Sequence, residues 1–137
     1  MLRVETKSRA RALQILYAWE LQRGRPITLV VSGVARLTGP EPRILDRAEE
    51  LATQVVADLA ALDHELVQAA DNWRMNRIAT VERNILRLGI HELRKGDVPP
   101  KVAIDEAVRL AHWFGGDRAA GFVNGVLDGV AHSLGRL

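Results

Sequence analysis

The chain has 137 residues, 47% of them hydrophobic and 26% charged, with a formal net charge of +2; this is an ordinary globular composition with room for one domain and a hydrophobic core. It contains no cysteine, which excludes a disulfide scaffold, thiol catalysis and cysteine-ligated zinc. No apolar run approaches the ~18 residues of a membrane span, and the opening MLRVETKSRARALQ is basic without the apolar core of a secretory signal, so a cytoplasmic protein with no membrane association is expected.

The small net charge hides a segregation. Residues 1–25 carry six basic and two acidic side chains, residues 26–72 three and eight, residues 73–101 seven and three, and residues 102–137 three and four. Two basic blocks separated by an acidic one point to a polyanionic partner at the basic parts.

In chain order, the first helix is expected to start near Thr6 or Ser8 and to run through Arg23, stopping at Gly24. Lys7, Arg11, Gln14, Ala18 and Gln22 share one face of it, and Ala12, Leu13, Ile15, Leu16 and Trp19 the other. Lys7 and Arg11 stand at the end where the helix dipole disfavours positive charge by a few tenths of a kcal/mol. With Arg3 and Arg9 they make a basic end suited to phosphates. Residues 26–37, PITLVVSGVARL, have β-branched content, but Ile27, Val30, Val31, Val34 and Leu37 keep helical spacing, so a short helix is expected. Pro42 opens the next helix, which is expected to reach about Ala61 with Ile44, Ala48, Leu51, Val55, Leu59 and Leu62 inward. Asp63 then caps a further short helix to about Asp71, and residues 72–80 connect two halves, 1–72 and 73–137, of one domain.

The remaining chain holds three apolar-periodic segments punctuated by Pro99-Pro100 and Gly115-Gly116. In the first, Val81, Ile85, Leu86, Leu88, Gly89, Ile90 and Leu93 cover over half the wheel at ~100° per residue, the arc of a helix packed on two sides. Arg83, Asn84, Arg87, His91, Arg94 and Lys95 fill the rest, and Thr80 is the expected cap. Glu82 is in conflict with its position, a carboxylate inside the apolar arc. It needs an internal cation, an escape at the helix start, or a partner that covers it. In the second segment Ala103, Ile104, Ala107, Val108, Leu110, Ala111 and Phe114 form the apolar face, with Asp105 and Arg109 as a supporting pair. In the third, Ala119, Val123, Val126, Leu127, Val130 and Leu134 do so, with Asp117 as the cap. The fold class is therefore all-α, about seven helices in two helical subdomains.

Chemistry is harder to find. His64-Glu65 and His91-Glu92 lack the second histidine of a zinc helix, since Gln68 and Lys95 stand four residues on. Adjacent Asp105 and Glu106 diverge by ~100° and make a poor acid/base pair. No catalytic residue, metal ligand or cofactor is assigned, and the expected protein is not an enzyme. Trp113, by contrast, falls on the polar arc of its helix, and Gly121, Gly125 and Gly129 form a bare stripe beside Phe122, with close internal packing the expected use of Gly125. Basic residues near aromatic rings are what single-stranded RNA binding uses.

SRARALQILYAWEL, VERNILRLGIHEL and DVPPKVAIDEAVRLAHWFGG followed by FVNGVLD together resemble the NusB family of all-helical bacterial transcription antitermination factors. The C-terminal likeness spans about fifty consecutive residues, whereas residues 24–72 match only in helical pattern. The resemblance implies binding of the single-stranded boxA RNA element together with NusE, a ribosomal small-subunit protein, within the transcription elongation complex of ribosomal RNA operons. Carried over, it adds RNA contacts from Lys101, Phe114, Arg118 and Phe122 to those of Arg3, Lys7, Arg9, Arg11 and Gln14, and places Tyr17 and Glu82 on the NusE side. Arg118 stands in a turn that in the family often carries acidic or small polar residues. Two alternatives remain at this point: a protein-interaction module or homodimer with little RNA binding, and a detached NusB-like domain of a ribosomal RNA methyltransferase.

Overall fold

A computed structural model describes residues 2–70 and 75–137. Among them are seven α-helices and one 3-10 turn: α1 Val4–Leu21, α2 Ile27–Thr38, α3 Pro42–Ala57, α4 Leu59–Ala69, the turn Met75–Arg77, α5 Thr80–Lys95, α6 Pro100–Phe114 and α7 Ala119–Ser133. The described residues contain no strand, so the all-α class and the helix number follow the periodicity. Two compact units result, residues 1–57 and 58–137. The expected division at 72/73, like the helix end at Asp71, lies outside the described residues. α4 belongs to the second unit, where it packs on α5 and α7.

In the first unit α1 packs on both α2 and α3. Its buried apolar side chains are Ala12, Leu13, Ile15 and Leu16, met by Val30, Val31 and Val34 of α2 and Ile44, Ala48, Ala52 and Val55 of α3. The β-branched stretch is a helix, so the spacing of Val30, Val31 and Val34 prevails over strand propensity. α1 starts at Val4, two and four residues before the expected starts at Thr6 and Ser8, which are buried within it, and ends at Leu21, short of Arg23; Gly24 turns the chain at φ 82° after it.

The second unit is arranged around α5, which contacts α4, α6 and α7. Gly89 allows one of these approaches: a Cβ there would lie 2.6 Å from Leu127 Cδ1 of α7, a side chain that is itself fully buried. α4 packs over part of the polar arc of α5. Asn84, Arg87 and His91 are buried, while Arg94 and Lys95 stay exposed. The Arg87 fork donates to Asp63 Oδ1 at 2.7 Å and Oδ2 at 2.9 Å, and to Asn84 Oδ1 at 3.0 Å. Asn84 in turn donates to the Thr80 carbonyl at 3.0 Å. Asp63 therefore sits inside α4 as an ion-pair partner, not at a cap, and the helix break falls at Asp58 instead.

Other expected caps also differ. Thr80 is the first residue of α5 behind an extended Ala79, with no side-chain cap bond, and Arg118, not Asp117, occupies the cap position of α7. Arg109 pairs with Glu106 at 3.3 Å instead of Asp105. At the other end of α5, Gly96 adopts a left-handed φ of 77°, the usual helix stop. Arg136 closes that end, donating to the Leu93 carbonyl at 2.6 Å and the Val98 carbonyl at 3.5 Å.

Candidate nucleic-acid interface

Most of the sequence-derived site residues fall into two patches, one in each unit. In the first, Arg3 is exposed just before α1, and Lys7, Arg11 and Gln14 are half-buried along it. Arg11 Nη1 donates to Gln14 Oε1 at 2.7 Å, which fixes the guanidinium along the helix and leaves its other donors to a ligand. Lys7, Arg11 and Gln14 thus give a stripe about 10 Å long at 1.5 Å rise per residue. Tyr17, further along the same helix, has its ring partly exposed. Arg9 does not join the stripe. It is only 8% exposed, because two residues turn the wheel by about 200°, which sets Arg9 opposite Lys7 and within about 20° of the buried Leu16.

The second patch is built at the turn between α6 and α7. A recess of about 300 Å³ opens there, lined by Arg77, Ile78, Ala79, Glu82, Gly116, Asp117, Arg118, Ala119 and Phe122. Arg118 is exposed and Phe122 half-buried. Its other cation, Arg77, was not singled out in the sequence, although it lies in the basic block of residues 73–101; a 3-10 turn carries it to the recess. That turn is tied down by Arg83, whose Nη1 donates to the carbonyls of Met75 and Ile78 at 3.3 and 3.0 Å.

Glu82 forms one wall of the recess, and its conflict on the wheel is resolved by a backbone group: Oε1 accepts the Gly116 N–H at 3.2 Å. Phe114, expected on the apolar face, is instead 38% exposed, beside Trp113 at 45%. As the last residue of α6, Phe114 has no further turn of helix to cover it. The two rings meet edge to face with centroids 6.4 Å apart, and the Arg109 guanidinium lies 5.9 Å from the Trp113 ring. Lys101 is exposed in the first turn of α6, thirteen residues and so about 20 Å from Phe114 along the helix. It stands apart from the recess. Gly121, Gly125 and Gly129 face open space, with nothing within 4 Å of a Cβ built on any of them, so Gly125 is not a packing glycine.

What the two patches can do chemically is hold phosphates and stack rings. Arginine forks pair with phosphate oxygens, and aromatic faces accept unstacked bases.

The described residues define the class of all-helical proteins. Within it the chain belongs to the NusB family, whose sequence profile matches residues 6–132. The match runs through both units. The transcription antitermination protein NusB of Sorangium cellulosum (strain So ce56) is 44% identical over 130 residues, covering 94% of this chain and 92% of that protein. The corresponding protein of Myxococcus xanthus (strain DK1622) is 36% identical over 132 residues, covering 93% and 94%. Among solved structures, a chain from the antitermination factors NusB and NusE in complex with dsRNA superposes with a TM-score of 0.85 at 27% identity, covering 97% of this chain and 99% of that one. NusB of T. maritima superposes with a TM-score of 0.83 at 27% identity, covering 96% and 93%.

Proposed function

We propose that this protein is a non-enzymatic, cytoplasmic adaptor in transcription antitermination. It binds boxA-like single-stranded RNA together with NusE and so supports processive transcription of ribosomal RNA operons. The observation that carries the reading is the recess at the α6–α7 turn, where Arg77, Arg118 and Phe122 border one cavity of about 300 Å³, the size class of a small-ligand site. The stripe of Arg3, Lys7, Arg11 and Gln14 adds phosphate contacts, and Tyr17 and Glu82 serve the NusE side. Supporting the partner assignment, a structural relative was solved with NusE and double-stranded RNA.

The test measures binding of labelled boxA-like and scrambled single strands, and of a duplex, with and without NusE. Tighter binding of the boxA-like strand, strengthened by NusE, is the expected result; equal or absent binding to all three overturns the reading. In the same assay Arg118→Asp lowers affinity for boxA-like and scrambled strands alike, because phosphate contacts carry no sequence information. A loss confined to the boxA-like strand makes Arg118 a base reader, and no loss returns it to ordinary surface.

A second reading, a protein-interaction or homodimeric module, is favoured by one observation. Leu29 and Leu37 stand eight residues apart on one face of α2, and Leu37 is 88% exposed. Self-association without RNA binding in the same experiment selects it.

A further inference from the structure

Glu82 lies in the first turn of α5, and its bond to Gly116 crosses 34 positions of sequence to reach the turn between α6 and α7. That turn is tightly held. Gly115 donates to the Ala111 carbonyl at 2.9 Å, and the Gly116 carbonyl accepts the Ala119 N–H at 3.0 Å. A Cβ on Gly115 would lie 2.5 Å from Ala119 Cβ and 2.8 Å from the Ala111 oxygen, so the backbone passes where no side chain fits. Gly116 is therefore fixed through its carbonyl by the start of α7 and through its N–H by Glu82. Two residues later comes Arg118, and one helical turn further on Phe122; both line the recess that Glu82 walls.

We propose that Glu82 is a positioning residue for RNA binding: by accepting the Gly116 N–H it fixes the turn that presents Arg118 and Phe122, without itself touching the RNA. This rests on the reading of the recess as an RNA site. The sign of the effect separates the proposal from a simple charge effect. A carboxylate beside a phosphate site repels the ligand, so a Glu82 that contributes only its charge weakens RNA binding, and removing it strengthens binding. A Glu82 that holds the turn does the opposite. Glutamine keeps an acceptor oxygen and drops the charge, aspartate keeps the charge and shortens the reach, and alanine removes both.

The experiment compares the full chain carrying Glu82, Glu82→Gln, Glu82→Asp and Glu82→Ala for binding of a labelled boxA-like single strand without NusE, so that no partner contact enters. Glu82→Gln binds as tightly as the parent or more tightly. Glu82→Ala and Glu82→Asp bind about three- to tenfold more weakly, the scale of one lost hydrogen bond. A tighter-binding Glu82→Ala, or a Glu82→Gln as weak as Glu82→Ala, overturns the proposal. Should Glu82→Ala fail to fold, Glu82→Asp carries the comparison, since its charge is unchanged. The Gly116 amide supplies a readout free of RNA: its hydrogen exchange is slow in the parent and Glu82→Gln and fast in Glu82→Ala and Glu82→Asp, and one rate in all four removes the latch. If the parent binds no RNA, the functional reading fails and takes the RNA part of this inference with it. Differential amide exchange with unchanged RNA affinity overturns the positioning role alone.

Discussion

α1 and α5 carry basic residues at the same helical spacing, and the fold uses them in opposite ways. Lys7 and Arg11 are half-buried at the flank of α1, with Gln14 beside them. Arg87 and His91, also four apart, are buried, and the Arg87 fork is taken by Asp63 and Asn84. Spacing alone identifies a polar stripe; it does not say whether that stripe meets water. What decides is whether a neighbouring helix brings groups able to satisfy it, as α4 brings Asp63. A buried cation with a matched carboxylate is kept by the interior, whereas one without such a match is left for solvent or a ligand.

The sharpest way to break this comparison is at Arg87. Arg87→Ala leaves Asp63 without its fork and costs about 3 kcal/mol of stability, the lower end for a broken buried pair because Asp63 keeps some contact with water. Denaturant unfolding reads this directly, and a loss below about 1 kcal/mol would class Arg87 with surface cations. The same unfolding applied to Lys7→Ala plus Arg11→Ala shows little change. Its effect falls on RNA instead: affinity drops, and the salt slope shrinks by about 1 to 1.5, at roughly 0.7 per lost contact on a single strand. An unchanged slope would move the RNA off α1.

The smallest effect concerns pH. The His91 pKa is lowered first by desolvation and then by Lys95, with Arg94 adding, while Glu92 and Asp58 act the other way. The unfolded chain therefore takes up this proton at a higher pH than the folded one. The neutral imidazole contributes its full share of stability above the ordinary value of about 6.5, and that share is lost as pH falls through the folded value. His91→Gln flattens the acid side of the stability–pH curve, and the Lys7/Arg11 double variant keeps the parent slope. Equal slopes in all three proteins would remove His91 from the buried network.

Most of the fold is legible in the apolar periodicity, because burying one face of each helix supplies most of the driving force for folding and leaves a mark every three to four residues. Val30, Val31 and Val34 show this against their own strand propensity. The polar positions are less legible, since a carboxylate such as Asp63 looks the same as a cap or as a partner for an arginine 24 residues away. Glu82 was recognisable as a problem but not as an acceptor for Gly116, because a backbone donor leaves no trace in side-chain chemistry. At the candidate site, the exposure of Phe114 depends on α6 ending there, and Arg77 reaches the recess through a turn without periodicity. Arg9 is a different case: its wheel position opposite Lys7 is plain in the sequence, and its charge and the family resemblance, not its face, group it with the stripe.

Arg136 lies beyond the last helix, yet its guanidinium is fastened to a carbonyl 43 residues earlier, at Leu93. In a chain without cysteine this is a non-covalent staple, insensitive to redox potential. It differs from a disulfide in kind as well as in strength. A covalent cross-link acts largely by restricting the unfolded chain, whereas this one vanishes on unfolding. Its whole contribution, about 1.5–3 kcal/mol for hydrogen bonds from a charged donor, is therefore made in the native state, at the C-terminal end of the helix around which its unit is built.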